Sequence, residues 1–153
     1  MASIHFIYGT TSGNTEMVVD QAAGFLKSKG HKATASRVEL SGPGDMLKPG
    51  MLVLASSTYG HGLLQEDMAD FLGRAETKAL ELKGKPCAVI GLGDPKYERE
   101  YHIEAAPLLE KFLDGHGGKR LVPSLKISRS PVLQLDLRIR EWAEELAKKL
   151  PNL

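Results

Sequence analysis

Apolar runs of strand length alternate along this chain with longer segments in which apolar residues recur at helical spacing. The short runs predict strands, and several are apolar almost throughout, which is typical of parallel strands covered on both faces. The predicted strands are Ser3–Tyr8, Lys32–Val38, Met51–Ala55, Pro86–Gly91 and one within Lys119–Ile127. The pattern therefore predicts a β-sheet whose strands are joined through helices.

The longer segments predict helices, and the last of them has the strongest pattern. Ile139, Trp142 and Leu146 share one of its faces, with charged residues between them. The predicted helices are Asn14–Lys29, Gln65–Glu76, His102–Gly115 and Leu133–Leu150. This alternation predicts a three-layer α/β fold, with a doubly wound, five-stranded parallel sheet between the helices. Because the length suits one hydrophobic core, we expect residues 1–153 to form a single domain.

The composition excludes several classes of function. The 20 Lys and Arg residues nearly balance the 19 Asp and Glu residues, so the chain lacks the basic character expected of nucleic-acid binding. No apolar run approaches the ~20 residues of a membrane span, and the five histidines show no spacing typical of a metal site. The single cysteine, Cys87, has apolar neighbours, so we expect a packed thiol, no internal disulfide and a cytoplasmic location.

A phosphate-binding loop is predicted where the first strand runs into the first helix. Residues 9–15 read Gly-Thr-Thr-Ser-Gly-Asn-Thr and contain four hydroxyl side chains. Gly13 allows close backbone approach, and the unpaired N–H groups at a helix start favour an anion. The loop has no Lys or Arg, whereas loops that bind nucleoside triphosphates usually carry a Lys. The sequence therefore predicts a monophosphate bound by neutral donors.

Two further loops are expected at the same edge of the sheet, because ligands of such folds lie beyond the carboxyl ends of the strands. These loops, Ser56–Gly62 and Leu92–Tyr101, follow the third and fourth strands and are rich in glycine and hydroxyl residues. Each contains a tyrosine, Tyr59 in one and Tyr97 in the other. Two aromatic rings above a phosphate site are suited to hold a planar heterocycle between them.

The three motifs together resemble those of the short-chain flavodoxins, a family of FMN-binding electron carriers. Gly9–Glu16 is similar to the family's phosphate loop nearly letter for letter, and Ser57–Gly60 is similar to the loop that places an aromatic on the flavin ring. Gly91–Glu98 is similar to the loop whose Tyr stacks on the other face. The resemblance covers almost the whole chain. It implies a flavodoxin-like fold with strand order 2-1-3-4-5, and electron transfer on a non-covalent FMN.

The resemblance also implies roles for individual residues. Residues 10–15 are expected to bind the phosphate, and Ser57 and Thr58 to border the ribityl chain and ring. Tyr59 and Tyr97 are expected to flank the isoalloxazine. The expected cofactor-binding residues are Thr10, Thr11, Ser12, Gly13, Asn14, Thr15, Ser57, Thr58, Tyr59, Gly60, His61, Leu92, Gly93, Asp94, Tyr97, Arg99 and Tyr101.

Main-chain groups complete the expected site. Asp94, Arg99 and Tyr101 are expected to contact the pyrimidine end of the flavin through backbone atoms. In the family, a peptide after the stacking aromatic flips so that its carbonyl accepts a hydrogen bond from N5–H. The matching peptide here joins Gly60 to His61, and glycine tolerates such a flip.

The charge of the chain departs from the family, whose members are typically very acidic. His61 stands where an acidic residue is common, and Lys96 and Arg99 add positive charge to the third loop. We therefore expect the low-potential couple to be less negative than in an acidic flavodoxin. A histidine beside N5 would also make the potentials depend on pH; the alternative is that His61 faces solvent and has no effect.

Three functions are compatible with the sequence. The first is a one-electron carrier, without enzyme activity of its own, between a reductase-type donor and acceptor enzymes. The second is an FMN-dependent NAD(P)H:quinone-type oxidoreductase, although no second dinucleotide motif is found. The third is a flavodoxin-fold interaction module without a redox role. For the carrier we expect transient protein partners, no nucleic-acid or membrane partner, and a monomer.

Overall fold

The computed structural model describes residues 2–10, 13–48, 50–59, 63–93, 105–127 and 132–150. Its elements follow the predicted alternation of strands and helices. The strands are β1 (Ser3–Gly9), β2 (Lys32–Arg37), β3 (Met51–Tyr59), β4 (Leu63–Leu64), β5 (Pro86–Leu92), β6 (Lys119–Arg120) and β7 (Leu125–Ile127). The helices are α1 (Asn14–Ser28), α2 (Glu66–Thr77), α3 (Ala105–Gly115) and α4 (Val132–Lys148). Two short 3₁₀ turns, Val38–Leu40 and Pro43–Leu47, lie between β2 and β3.

The sheet has the order β2-β1-β3-β5, and both β6 and β7 pair with β5 at the next position. These pairings are all parallel. The predicted doubly wound order 2-1-3-4-5 is therefore confirmed, with β6 and β7 sharing the fifth place. The break between them contains Pro123, which has no N–H to donate to a neighbouring strand.

The third strand is longer than predicted. Residues 56–59 were expected to begin a loop, but they continue β3. Ser57 lies opposite Leu92 in β5, and the end of β3 also pairs antiparallel with β4, where Tyr59 lies opposite Leu63. Partners on both sides thus hold a hydroxyl-rich segment in a strand.

The sheet is covered on both faces, as its apolar strands predict. On one face, Phe6 and Val53 belong to a buried cluster with α1 and α4 that includes Trp142. On the other face, Ile7 and Leu54 lie in a cluster with residues of α2 and α3. Alternate residues of β1 therefore serve opposite layers, so the strand ends are fixed from both sides.

Cys87 lies in β5 and is fully buried. Burial is the main cause that raises the pKa of its thiol to about 11. The expectation of a packed cysteine is confirmed, since such a thiol stays protonated and unreactive near neutral pH. Within the part of the chain that the structure describes, no helix combines the length and apolar character that crossing a bilayer requires.

A candidate cofactor site at the carboxyl edge of the sheet

The first loop of the site closes on itself through a hydroxyl. Thr10 is buried, and its Oγ1 accepts the N–H of Gly13 at 3.0 Å. Gly13 has φ 89°, in the left-handed region, and its carbonyl accepts the N–H of Met17 at 3.1 Å. Gly13 has no side chain to cap α1, and the N–H groups of a first helical turn suit an anionic acceptor. Asn14 opens the helix and is exposed.

Two buried hydroxyl oxygens at this edge have no hydrogen-bond partner among the described residues. One is Oγ1 of Thr15, a residue that is fully buried in the first turn of α1; the other is Oγ of Ser57. Thr15 belongs to the helix that follows β1, and Ser57 lies near the end of the neighbouring strand β3, where Gly9 is opposite Ser56. A buried polar group left unpaired costs about 1–3 kcal/mol. Oxygens of a phosphate group can accept a hydrogen bond from each hydroxyl, so the residues present fit such a group. For Ser57 this differs from the resemblance, which placed it beside the ribityl chain and ring.

Two glycines allow helices to approach the strand ends closely. A Cβ on Gly9 would lie 2.4 Å from Oε1 of Gln65, and a Cβ on Gly91 would lie 2.7 Å from the Cβ of Ala106. For Gly91, the close neighbour in the structure is α3.

Gln65 is an important residue that the sequence analysis missed. It is buried at the N-cap of α2, where its Oε1 accepts the N–H of Met68 at 3.0 Å. Its own N–H donates to the carbonyl of Ser57 at 3.1 Å. Gln65 thus joins the end of β3, the end of β1 and the start of α2. The signal available in the sequence was a polar residue directly before an acidic helix start.

Thr58 connects two of the loops expected to contact the cofactor. It is buried, and its Oγ1 accepts the N–H of Ala105, the first residue of α3, at 3.0 Å. The hydroxyl therefore caps a helix from a neighbouring strand. This contact ties the end of β3 to the segment that leads into α3.

The third loop begins with an anchored residue. Leu92 is buried at the end of β5, and the N–H of Gly93 donates to the carbonyl of Ile127 at 2.7 Å. The structure thus brings nine predicted site residues to one edge: Thr10, Gly13, Asn14, Thr15, Ser57, Thr58, Tyr59, Leu92 and Gly93. The other eight lie outside the described residues: Thr11, Ser12, Gly60, His61, Asp94, Tyr97, Arg99 and Tyr101. The cofactor-binding roles of all seventeen stay predictions.

A charged network lies beside the first turn of α1. Tyr8 donates its hydroxyl to Oε1 of Glu16 at 3.0 Å, and Arg37 lies 3.4 Å from Oε2 of the same carboxylate. Arg37 also contacts Oε2 of Glu39 at 3.1 Å. Burial, followed by the hydrogen bond to Glu16, raises the pKa of Tyr8 to about 12, so its hydroxyl remains a donor at neutral pH. These contacts of Glu16 were not predicted from the sequence.

Comparison with known proteins identifies the family of this chain. The family model described as flavodoxin matches residues 6–142. The chain belongs to the flavodoxin family. Members of this family are electron carriers rather than enzymes, and this flavodoxin is an FMN-binding electron-transfer protein.

Individual flavodoxins are similar to the chain over nearly its whole length. "Probable flavodoxin 2" of Bacillus subtilis is 28% identical over 97% of both chains. The solved structure of oxidised flavodoxin 2 from Bacillus cereus has a TM-score of 0.86 and 28% identity, covering 97% of this chain and 100% of that one. The chain also matches 23% of the length of a sulfite reductase [NADPH] flavoprotein alpha-component from B. subtilis, at 27% identity over 94% of the chain.

Proposed function

We propose that this flavodoxin carries electrons one at a time on FMN between a reductase-type donor and acceptor proteins. The observation that carries the proposal is the pair of buried hydroxyls of Thr15 and Ser57, which have no partner among the described residues, beside a helix start whose N-cap is a glycine. A phosphate monoester suits this environment because it accepts several hydrogen bonds and favours the positive end of the helix dipole.

The mechanism assigns distinct tasks to the residues at this edge. Thr10 holds Gly13 in the conformation that leaves the N–H groups of α1 open, and Thr15 and Ser57 donate to the phosphate. When bound, FMN supplies the redox chemistry, and the protein supplies orientation and electrostatics. Tyr59 and Tyr97 are proposed to cover the two faces of the ring and exclude water.

Main-chain groups are proposed to serve the ring itself. The carbonyl between Gly60 and His61 would accept a hydrogen bond from the N5 side of the ring. Backbone groups of Asp94, Arg99 and Tyr101 bind the pyrimidine end. Thr11 and Ser12 complete the phosphate loop. These assignments rest on the resemblance of the motifs, because the residues lie outside the described part of the chain.

The partners are proposed to be other redox proteins that bind transiently. One relative supports a reductase-type donor. The chain matches 23% of the length of a sulfite reductase flavoprotein component whose name includes NADPH. We further propose a monomeric, single-domain carrier in the cytoplasm. A single, buried cysteine is compatible with that compartment.

Purified protein titrated with FMN and then with reductant tests the proposal. We expect one FMN per chain, quenching of its fluorescence, and two resolved one-electron steps in the absorbance spectrum. Added NAD(P)H and a quinone should give no sustained turnover without a separate reductase. Unquenched FMN fluorescence would contradict the carrier function and favour an interaction module, whereas steady NAD(P)H oxidation by the protein alone would favour an oxidoreductase.

A further inference from the structure

Arg37 is placed against a carboxylate of the helix that begins the phosphate site. Its guanidinium lies between two acids, 3.4 Å from Glu16 and 3.1 Å from Glu39. The buried Tyr8 hydroxyl fixes the other oxygen of Glu16 at 3.0 Å. The carboxylate of Glu16 is therefore held in place from two sides.

Glu16 is placed where its negative charge would repel a phosphate bound at the start of α1. It follows Thr15 directly in the first turn of α1, and an α-helix rises only ~1.5 Å per residue. A phosphate bound at this helix start would therefore lie within about 10 Å of the carboxylate, which is comparable to the screening length of physiological salt. Asp20 lies one turn further along the same helix and adds to the negative potential.

The loop itself has no cationic side chain to balance this charge. Residues 9–15 include no Lys or Arg. Arg37 enters from the neighbouring strand β2, and it is the cation that the structure pairs with Glu16. The register of β1 and β2 places it there, because Tyr8 lies opposite Arg37.

We infer that Arg37 contributes to the selectivity of the site for a phosphorylated flavin, because its charge offsets that of Glu16 near the bound phosphate. Arg37 is a positioning residue that acts through Glu16. The inference rests on the proposed function and deepens it, since it assigns part of the preference for FMN over riboflavin to a residue outside the phosphate loop.

A purely structural role for this ion pair is a weaker explanation. The side chains of Arg37 and Glu16 are 37% and 40% exposed, and ion pairs with this exposure contribute little to folding stability. Their effect on a nearby multiply charged ligand is larger, because a phosphate dianion doubles the interaction with each charge.

The test compares FMN with riboflavin, which lacks the phosphate, on apoprotein by fluorescence quenching. Arg37→Gln should weaken FMN binding by roughly tenfold at low salt. The same variant should bind riboflavin as the wild type does, and the difference for FMN should shrink at high NaCl. Arg37→Lys should restore most of the affinity, and Glu16→Gln combined with Arg37→Gln should restore it too.

Arg120→Gln provides a matched control. Arg120 also pairs with two acids, Asp114 at 2.9 Å and Glu110 at 3.4 Å, but it lies at the opposite, amino end of β5. It should change neither ligand's affinity. Circular dichroism of each apoprotein establishes that the variants are folded.

Two results would overturn the inference. One is an FMN affinity that Arg37→Gln leaves unchanged at low salt; the other is an equal loss for FMN and riboflavin, which would indicate a structural role. Failure of the wild-type protein to bind FMN would instead refute the proposed function, and the inference with it.

Discussion

At the scale of single residues, the site is defined by side chains whose hydrogen bonds are incomplete. The hydroxyl of Thr15 is fully buried and has no partner among the described residues, although satisfied polar groups are the rule in folded proteins. An unpaired buried hydroxyl lowers the stability of the apoprotein and raises its affinity for a ligand that accepts the missing hydrogen bond. Stability and binding should therefore respond to its removal in opposite directions.

Thr15→Val tests this opposition, because valine keeps the shape and removes the hydroxyl. We expect the apoprotein to be as stable as wild type or up to about 1 kcal/mol more stable in urea, while the Kd for FMN rises by about tenfold or more. Thr77→Val is the control, since Thr77 is exposed at the far end of α2. A Thr15→Val protein that is less stable and binds FMN normally would contradict the assignment.

Cys87 gives a prediction about pH. Its thiol pKa is raised from the ordinary 9.0 to about 11, so the folded state holds the proton more tightly than the unfolded state. The resulting stabilisation is complete below pH 9 and is lost as the pH rises towards 11. Relative to Cys87→Ala, the wild type should lose about 2 kcal/mol of unfolding free energy over this interval in urea titrations. If the unfolding free energies of the two proteins differ by the same amount at every pH, the pKa of the thiol is not raised in the folded state.

At the scale of elements, the loops of the site are held by contacts between strand ends and helix starts. Gln65 joins β3 to α2, and Thr58 joins β3 to α3. The side chain of Gln65 caps α2, while its backbone N–H donates to Ser57 in β3. The hydroxyl of Thr58 does both tasks at once, because it caps α3 and links two segments that are distant in sequence.

Thr58→Val removes the cap on α3 and should lower the unfolding free energy by about 1–2 kcal/mol. Amide hydrogen exchange at Ala105 should become faster, because its N–H loses its acceptor. Thr58→Ser retains the hydroxyl and should keep most of both properties. If valine and serine behave alike, the cap contributes nothing measurable.

The elements also show where sequence reasoning is sufficient. Helices and long strands follow from hydrophobic periodicity, so their positions were predicted within a few residues. The strand β4 has only two residues, too few for a pattern, and hydroxyl residues 56–59 resemble a loop until both of their strand partners are known. The hydrogen bond between Thr58 and Ala105 spans 47 residues and joins a side chain to a backbone atom, so no local motif predicts it.

At the scale of the whole molecule, the chain is nearly neutral, with a formal net charge of +1. Negative charge around a bound flavin opposes the arrival of a further electron, and this chain has little excess of it. The near-neutral charge follows directly from the sequence. It did not predict the Glu16–Arg37 pair, because the partners lie on different elements and meet only through the register of β1 and β2.

The second one-electron step should therefore occur at a less negative potential than in acidic flavodoxins. Lys96→Glu or Arg99→Glu should lower that potential by tens of millivolts, since a charge at ~7–8 Å contributes roughly 0.5–2 kcal/mol and 1.4 kcal/mol equals about 59 mV for one electron. Lys119→Glu, at the amino end of the sheet, is the control of equal charge change. A redox titration in which all three variants match the wild type would refute this prediction.

The two edges of the sheet affect how the protein behaves at high concentration. One edge is β2, whose exposed positions include Lys32 and Thr34, and the other is divided around Pro123 into β6 and β7. A neighbouring molecule that approached either edge would meet polar side chains or a broken row of hydrogen-bonding groups. The sheet is thus poorly suited to growth by added strands, which protects a small protein against aggregation at high concentration.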